Sequence, residues 1–215
     1  ASLPDATIYV FDNGSTDATA RQAKQAGAVV AHHPIKGKGN VVRRMFADVD
    51  ADIYVMTDGD LTYDPGSASL MVQQLIDEHL DMVVGVRQSP KDDVSAYRFG
   101  HRFGNSLLTR GVGLVFGRLP ADLLSGFRVF SRRFVKSFPA ESKGFEIETE
   151  LTVHALELSL PFTEVPTPYV GRPANSYSKL RTYRDGMRIL FAIVSLFKEQ
   201  RPFKFFGVLF IALTL

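Results

Sequence analysis

Eight consecutive residues, Ile53-Tyr54-Val55-Met56-Thr57-Asp58-Gly59-Asp60, constrain the fold of this chain more than any other stretch. An almost wholly apolar run with strand propensity ends abruptly in two carboxylates separated by one glycine. A run apolar on both faces suits the interior of a parallel sheet, whose ligands bind beyond the carboxyl ends of the strands. Asp58 and Asp60 are therefore expected at a binding edge. Two hard oxygen donors beside a glycine that lets a ligand approach the backbone suit a divalent cation bridging a diphosphate. The octet reads equally as a strand entering an ordinary turn, since Asp and Gly are common there.

The flanking sequence repeats the same strand-then-turn pattern. Residues 7–11 read as a strand, and Ser15 or Thr16 can cap a helix over 17–25 that Gly27 ends. A short strand over 28–31, a Gly-Lys-Gly loop and a helix over 40–48 lead into the octet. A helix over 67–79 and a strand over 81–86 follow. This alternation predicts an α/β fold with a mostly parallel sheet and flanking helices. Further on, 97–110 reads as helix, 127–130 as strand, 146–158 as helix, and the proline-bearing segment 162–170 as an irregular edge.

Composition narrows the function. An apolar fraction of 45% is enough for one sizeable core, and a formal charge of only +2 argues against nucleic acid as the main partner. No cysteine is present, so disulfides and thiolate metal sites are excluded. The C-terminal quarter differs in character. Tyr183, Met187, Leu190, Phe191, Val194 and Phe197 recur at helical spacing, with Arg181, Arg184 and Arg188 on the other side. This pattern predicts an amphipathic helix lying on a membrane surface, the alternative being a helix packed on the core. Residues 203–215 carry one charge, Lys204. A spanning helix needs about 20 apolar residues, so this run is read as the start of a transmembrane helix rather than a shallow tail. The expected organisation is a catalytic domain over 1–178, an interface helix over 179–201 and the membrane segment over 202–215.

Several short motifs carry chemistry. Asp12-Asn13-Gly14-Ser15-Thr16-Asp17 follows a strand and opens a helix, a corner that can hold a base or ribose, or be simply a capped turn. Gly37-Lys38-Gly39-Asn40 lacks the spacing of a Walker loop, yet glycines with a lysine before a helix can meet a diphosphate. Together with Asp58-Gly59-Asp60, Ser125-Gly126-Phe127-Arg128, and Arg172 with Ser178-Lys179-Leu180, these motifs resemble, in order, the family 2 glycosyltransferases of the Rossmann-like GT-A fold. The resemblance spans essentially the whole chain and is closest to the polyprenyl-phosphate hexosyltransferases, which include dolichyl-phosphate mannose synthase and undecaprenyl-phosphate glucosyltransferases.

The resemblance implies a role for each position. Asp12 would contact the base or ribose of a nucleotide-sugar donor, and Lys38 its diphosphate. Asp58 and Asp60 would hold Mg²⁺ or Mn²⁺, with Asp60 the more direct ligand and Asp58 nearer ribose and sugar. Asp122 matches an acid placed near sugar or acceptor, so Asp60, Asp122 and Arg128 form the expected catalytic set. Glu146 and Glu150 match a Gly-x-Glu-x-x-x-Glu helix start; four apart, they share a face from which Glu148 points away. Arg172, Ser178 and Lys179, with Arg128, would lead the phosphate of a polyprenyl phosphate acceptor into the site. A membrane-associated enzyme facing the cytoplasm is implied, and a homo-oligomer is compatible with it. The family opens on a strand with a Pro-x-Tyr-Asn-Glu-like end, and this chain begins at what corresponds to the second strand.

The implied reaction is an inverting displacement at the anomeric carbon. Its phosphate acceptor is already anionic and needs cations and a metal rather than a strong base. Processive polysaccharide synthases carry a Gln-x-x-Arg-Trp motif, and this chain has no tryptophan. A calcium loop starting at Asp58 fails at Tyr63 and Ser69. A glycosidase would need a dedicated carboxyl pair, which nothing singles out. Two alternatives remain: an inactive, membrane-docked subunit that binds sugar nucleotides, and a family 2 enzyme with another acceptor.

Overall fold

The computed structural model describes residues 3–88, 109–113, 115–117, 119–171 and 182–214. The first half alternates as the sequence predicts: β1 (Tyr9–Asp12), α1 (Thr19–Gln25), β2 (Val29–His32), α2 (Lys38–Asp48), β3 (Ile53–Met56), α3 (Ser67–Asp77) and β4 (Met82–Gln88). Strand β5 (Arg128–Ser131) runs directly into α4 (Arg132–Ser137), and α5 (Ile147–Glu157), β6 (Phe162–Pro168), α6 (Thr182–Gln200) and α7 (Pro202–Thr214) complete the chain. Of the helix expected over 97–110, positions 97–108 lie outside the described residues; 109 and 110 are helical, in a stretch that runs to 113.

Among the described residues the strands form two sheets. β1 and β2 pair in parallel, and a four-stranded sheet has the order β3-β5-β4-β6. Here the expected mostly parallel sheet is corrected. β5 lies antiparallel between β3 and β4, with Tyr54 opposite Phe130 and Val83 opposite Val129, and only β4 with β6 is parallel. A run apolar on both faces specifies burial, not direction, and the strand–helix alternation that implies parallel pairing ends at β4. The segment over 162–170 is also more regular than expected. Pro166 and Pro168 lie two apart on the edge strand β6, so both missing donors face away from its seven-residue pairing with β4.

The four-stranded sheet is covered on both faces. Met56, Met82, Val84 and Phe130 pack under α2, α4 and α5 with Val42, Phe134, Ile147 and Leu151; Val83, Val129 and Val165 pack under α3 with Met71 and Leu75. A third cluster joins α5 to α6 through Val153, Ile189 and Ile193. The face of α6 seated on the domain is therefore not the one its spacing singles out. Met187, Leu190, Phe191 and Val194 are exposed, and so are Phe203, Phe206 and Phe210 of α7. No helix among the described residues is long and apolar enough to cross a membrane.

Candidate active site

The ends of β1, β2 and β3 and the starts of α2 and α5 meet at one place. Asp12, at the end of β1, is buried; its Oδ1 accepts from the Ser15 amide at 3.0 Å, and Oδ2 lies 3.2 Å from His32 Nδ1 on the neighbouring strand. The Ser15 side chain is the main force holding the Asp12 carboxyl below the usual range, against desolvation, with the Ser15 amide and His32 adding to it. Asn13 fastens the next loop, donating to the carbonyls of His33 and Ile35 and accepting from the Gly37 amide at 2.8 Å. Helix α1 begins after Ala18 without a side-chain cap, neither Ser15 nor Thr16 capping it, and Asp17 Oδ1 accepts from the Thr19 amide in the turn before it.

The Gly-Lys-Gly loop serves packing. A Cβ on Gly37 would lie 2.2 Å from the Lys143 carbonyl oxygen, and one on Gly39 2.2 Å from that of Ser142. The amides of Gly39 and Asn40 donate to the carbonyls of Gly144 and Lys143. The Gly39 and Asn40 amides that the sequence offered to a diphosphate are thus engaged by the protein. Lys38 Nζ lies 2.6 Å from Asp58 Oδ1 and 2.6 Å from Glu148 Oε1. Burial alone would lower the Lys38 pKa, but Glu148 and Asp58 outweigh it and hold the ammonium well above its ordinary range. Burial pushes Glu148 up, opposed by Lys38.

Asp58 stands half exposed just past β3. Asp60 Oδ1 accepts from the amide and hydroxyl of Thr62, at 3.2 and 2.5 Å, around a left-handed Leu61 with φ of 61°. A Cβ on Gly59 would meet nothing within 4 Å, so the glycine between the carboxylates leaves open space. Across the site Gly126 closes in: its Cβ would lie 2.7 Å from Asp58 Oδ2 and 2.8 Å from Lys38 Nζ. Tyr63 holds that loop, its hydroxyl accepting from the Gly126 amide at 2.9 Å, and burial pushes the phenol up to about 12. Among the described residues no three His, Asp or Glu side chains are gathered to hold a metal unaided. Asp58 and Asp60 offer hard carboxylate oxygens beside the open space at Gly59, and a cation held there would need further oxygen donors from a ligand or water.

Three sequence expectations are corrected. Arg128 is wholly buried. It donates to the carbonyls of Ser125, Leu123 and Glu148 and to Thr152 Oγ1, so it fastens the 122–126 loop to α5 and presents nothing to a phosphate. Burial draws its guanidinium below the ordinary range. Glu150 accepts from the amides of Glu141 and Ser142, and Glu146 Oε1 from those of Lys143 and Gly144, so both brace that loop. Glu148, read as pointing away, enters the site. The i, i+4 rule pairs Glu146 with Glu150 correctly but cannot say which face meets Lys38; the signal lay in buried Ile147 and Leu151, which flank Glu148 on the packed side. Asp122 is buried and clamped by Arg87, with Nε at 2.6 Å and Nη2 at 2.7 Å. Arg172, Ser178 and Lys179 lie outside the described residues.

The model of "Glycosyl transferase family 2" matches residues 2–138. The glycosyltransferase AglJ of Haloferax volcanii is 36% identical over 203 residues, covering 94% of this chain and 66% of its own length. The chain thus spans about two thirds of that relative. A dolichyl-phosphate hexose transferase of the same organism is 28% identical over 190 residues, covering 88% of this chain and 80% of its own. In fold, the chain is similar to glucosyl-3-phosphoglycerate synthase of Mycobacterium tuberculosis, solved with Mn²⁺, uridine diphosphate and glucosyl-3-phosphoglycerate; the TM-score is 0.63 at 23% identity, covering 90% of this chain and 71% of that one. The α/β fold is GT-A-like, and the chain belongs to glycosyl transferase family 2, the family of its glycosyltransferase relatives.

Proposed function

We propose that this glycosyltransferase moves a hexose from a UDP- or GDP-sugar to a polyprenyl phosphate, using Mg²⁺ or Mn²⁺ at Asp58 and Asp60. The observation that carries the reading is the convergence of Asp58, Asp60 and Lys38 at one strand end, with Lys38 Nζ 2.6 Å from Asp58. On this reading Asp12 would accept hydrogen bonds from a ribose or base, and Lys38 would supply the cation for a diphosphate. The neighbour solved with Mn²⁺ and uridine diphosphate supports the donor class, and the dolichyl-phosphate relative supports the acceptor class.

When bound, the divalent ion stabilises charge on the leaving diphosphate. An acceptor phosphate oxygen forms the new bond at the anomeric carbon as the bond to the diphosphate breaks, and the diphosphate departs with the electron pair. The acceptor is anionic before it arrives, so no residue has to remove a proton from it. Asp122, fixed by Arg87, is retained from sequence as an acid near the sugar or acceptor. Arg172, Ser178 and Lys179 are retained as acceptor contacts from sequence and the buried Arg128 is not, while Glu146 and Glu150 would serve the site by holding the loop over 141–144. The exposed apolar faces of α6 and α7, beside Arg184, Arg188, Lys198, Arg201 and Lys204, support a catalytic domain over 1–178 seated on the cytoplasmic membrane face by the segments over 179–201 and 202–215.

Membranes containing the full-length protein, supplied with labelled UDP- and GDP-hexoses and a polyprenyl phosphate, test the proposal. One donor should yield label in the organic phase that requires the lipid. Label transferred only to water-soluble acceptors would overturn the lipid assignment.

A further inference from the structure

Lys38 stands between two carboxylates that differ in access. The Asp58 side chain is 36% exposed, that of Lys38 17% and that of Glu148 4%. Asp58 therefore faces the solvent from which a metal would come, and Glu148 lies at the bottom. The pairing is also incomplete. Glu148 Oε2 is buried with no hydrogen-bond partner, although Oε1 holds the ammonium at 2.6 Å. A buried carboxylate oxygen left unpaired is costly, and a lysine ammonium has three donors to offer.

We propose that Glu148 is a positioning residue for the donor site: Lys38 and the divalent ion compete for Asp58, and Glu148 receives the ammonium when the ion displaces it. This inference rests on the metal assignment to Asp58 and Asp60. In the arrangement seen, Lys38 neutralises Asp58 and occupies the carboxylate a metal needs. A dication that takes Asp58 repels the ammonium, and Gly126 walls off one side of it, a Cβ there being 2.8 Å from Nζ. Glu148 Oε2 is the acceptor for the donor that leaves Asp58. Lys38 then remains beside the site as a cation for the diphosphate instead of being expelled into solvent. The unpaired oxygen is thus explained by a second position of the lysine, one that neither the capping of α5 nor the packing of the core requires.

The test is Mn²⁺ binding by the full-length protein, followed by the loss of the free-ion EPR signal, without nucleotide. In Glu148→Gln the ammonium has only Asp58 as a charged partner and competes harder, so Mn²⁺ affinity should fall by roughly tenfold, within the usual range for coupled neighbours. The double variant Lys38→Met with Glu148→Gln removes the competitor and should bind Mn²⁺ at least as tightly as the wild type. Glu148→Asp should restore part of the single-variant loss. Equal Mn²⁺ affinity in wild type and Glu148→Gln would overturn the role of Glu148 while leaving the metal site standing, as would a double variant as weak as the single one. Absence of Mn²⁺ binding by the wild type would overturn both.

Discussion

Individual side chains in this protein separate by whether their charge is matched inside the fold or left for a ligand. Asp81 is matched: burial would raise its pKa, but Nε and Nη2 of Arg133 and the Ser131 hydroxyl bond its carboxylate and draw it below 3.8. A carboxyl depressed on folding stabilises above its unfolded pKa and loses that contribution as pH falls through its folded one. Asp81→Asn should therefore cost about 2 kcal/mol at neutral pH, and the gap to wild type in urea unfolding should narrow as pH drops below 3.8. A gap constant with pH would contradict this account. At this scale the sequence was partly legible. Asp12, Lys38 and Asp58 could be singled out because strand ends and short polar motifs announce themselves, and the structure places Lys38 against Asp58. Glu148 and the burial of Arg128 were not, because both depend on how α5 rotates against a loop distant in sequence.

Elements carry the next level of the account. Arg128 sits at the start of β5 and reaches three carbonyls and Thr152, binding the 122–126 loop to α5. Arg128→Met would leave those buried acceptors unpaired, at about 1–3 kcal/mol for each that water cannot reach. Its melting temperature should fall while the KM for lipid in the surviving fold changes little; a large KM effect at unchanged stability would return Arg128 to the acceptor site. The order of strands and helices was legible from period and turn residues, but the direction of β5 was not. Tyr54, Val83, Val129 and Phe130 would be equally apolar in a parallel ladder. Helix α6 has two apolar faces, and spacing picked out the one that is left exposed but not the Ile189 and Ile193 face that packs on the domain.

On the scale of the whole molecule, the exposed apolar residues of α6 and α7 accompany the exposed Arg184, Arg188 and Lys198 of α6, Arg201 between the helices and Lys204 of α7, the combination that the proposed membrane seating requires. Each Lys or Arg near an anionic surface contributes about 1 kcal/mol, falling with salt, while buried apolar side chains resist salt. The full-length protein should co-float with anionic vesicles at low salt and only partly release at high salt, and Phe191→Ser should enlarge the released fraction. No flotation at any salt would contradict the membrane assignment. The central claim, that the strand end at Asp58-Gly59-Asp60 is where metal and donor meet, is tested most directly by hexose transfer to polyprenyl phosphate by Asp60→Asn and wild type, with and without Mn²⁺. The account predicts metal-stimulated transfer by the wild type and a loss of about 100-fold or more in the variant, the scale of removing a preorganised electrostatic contact, with its fold unchanged by circular dichroism. Near-normal, metal-stimulated transfer by Asp60→Asn would contradict it.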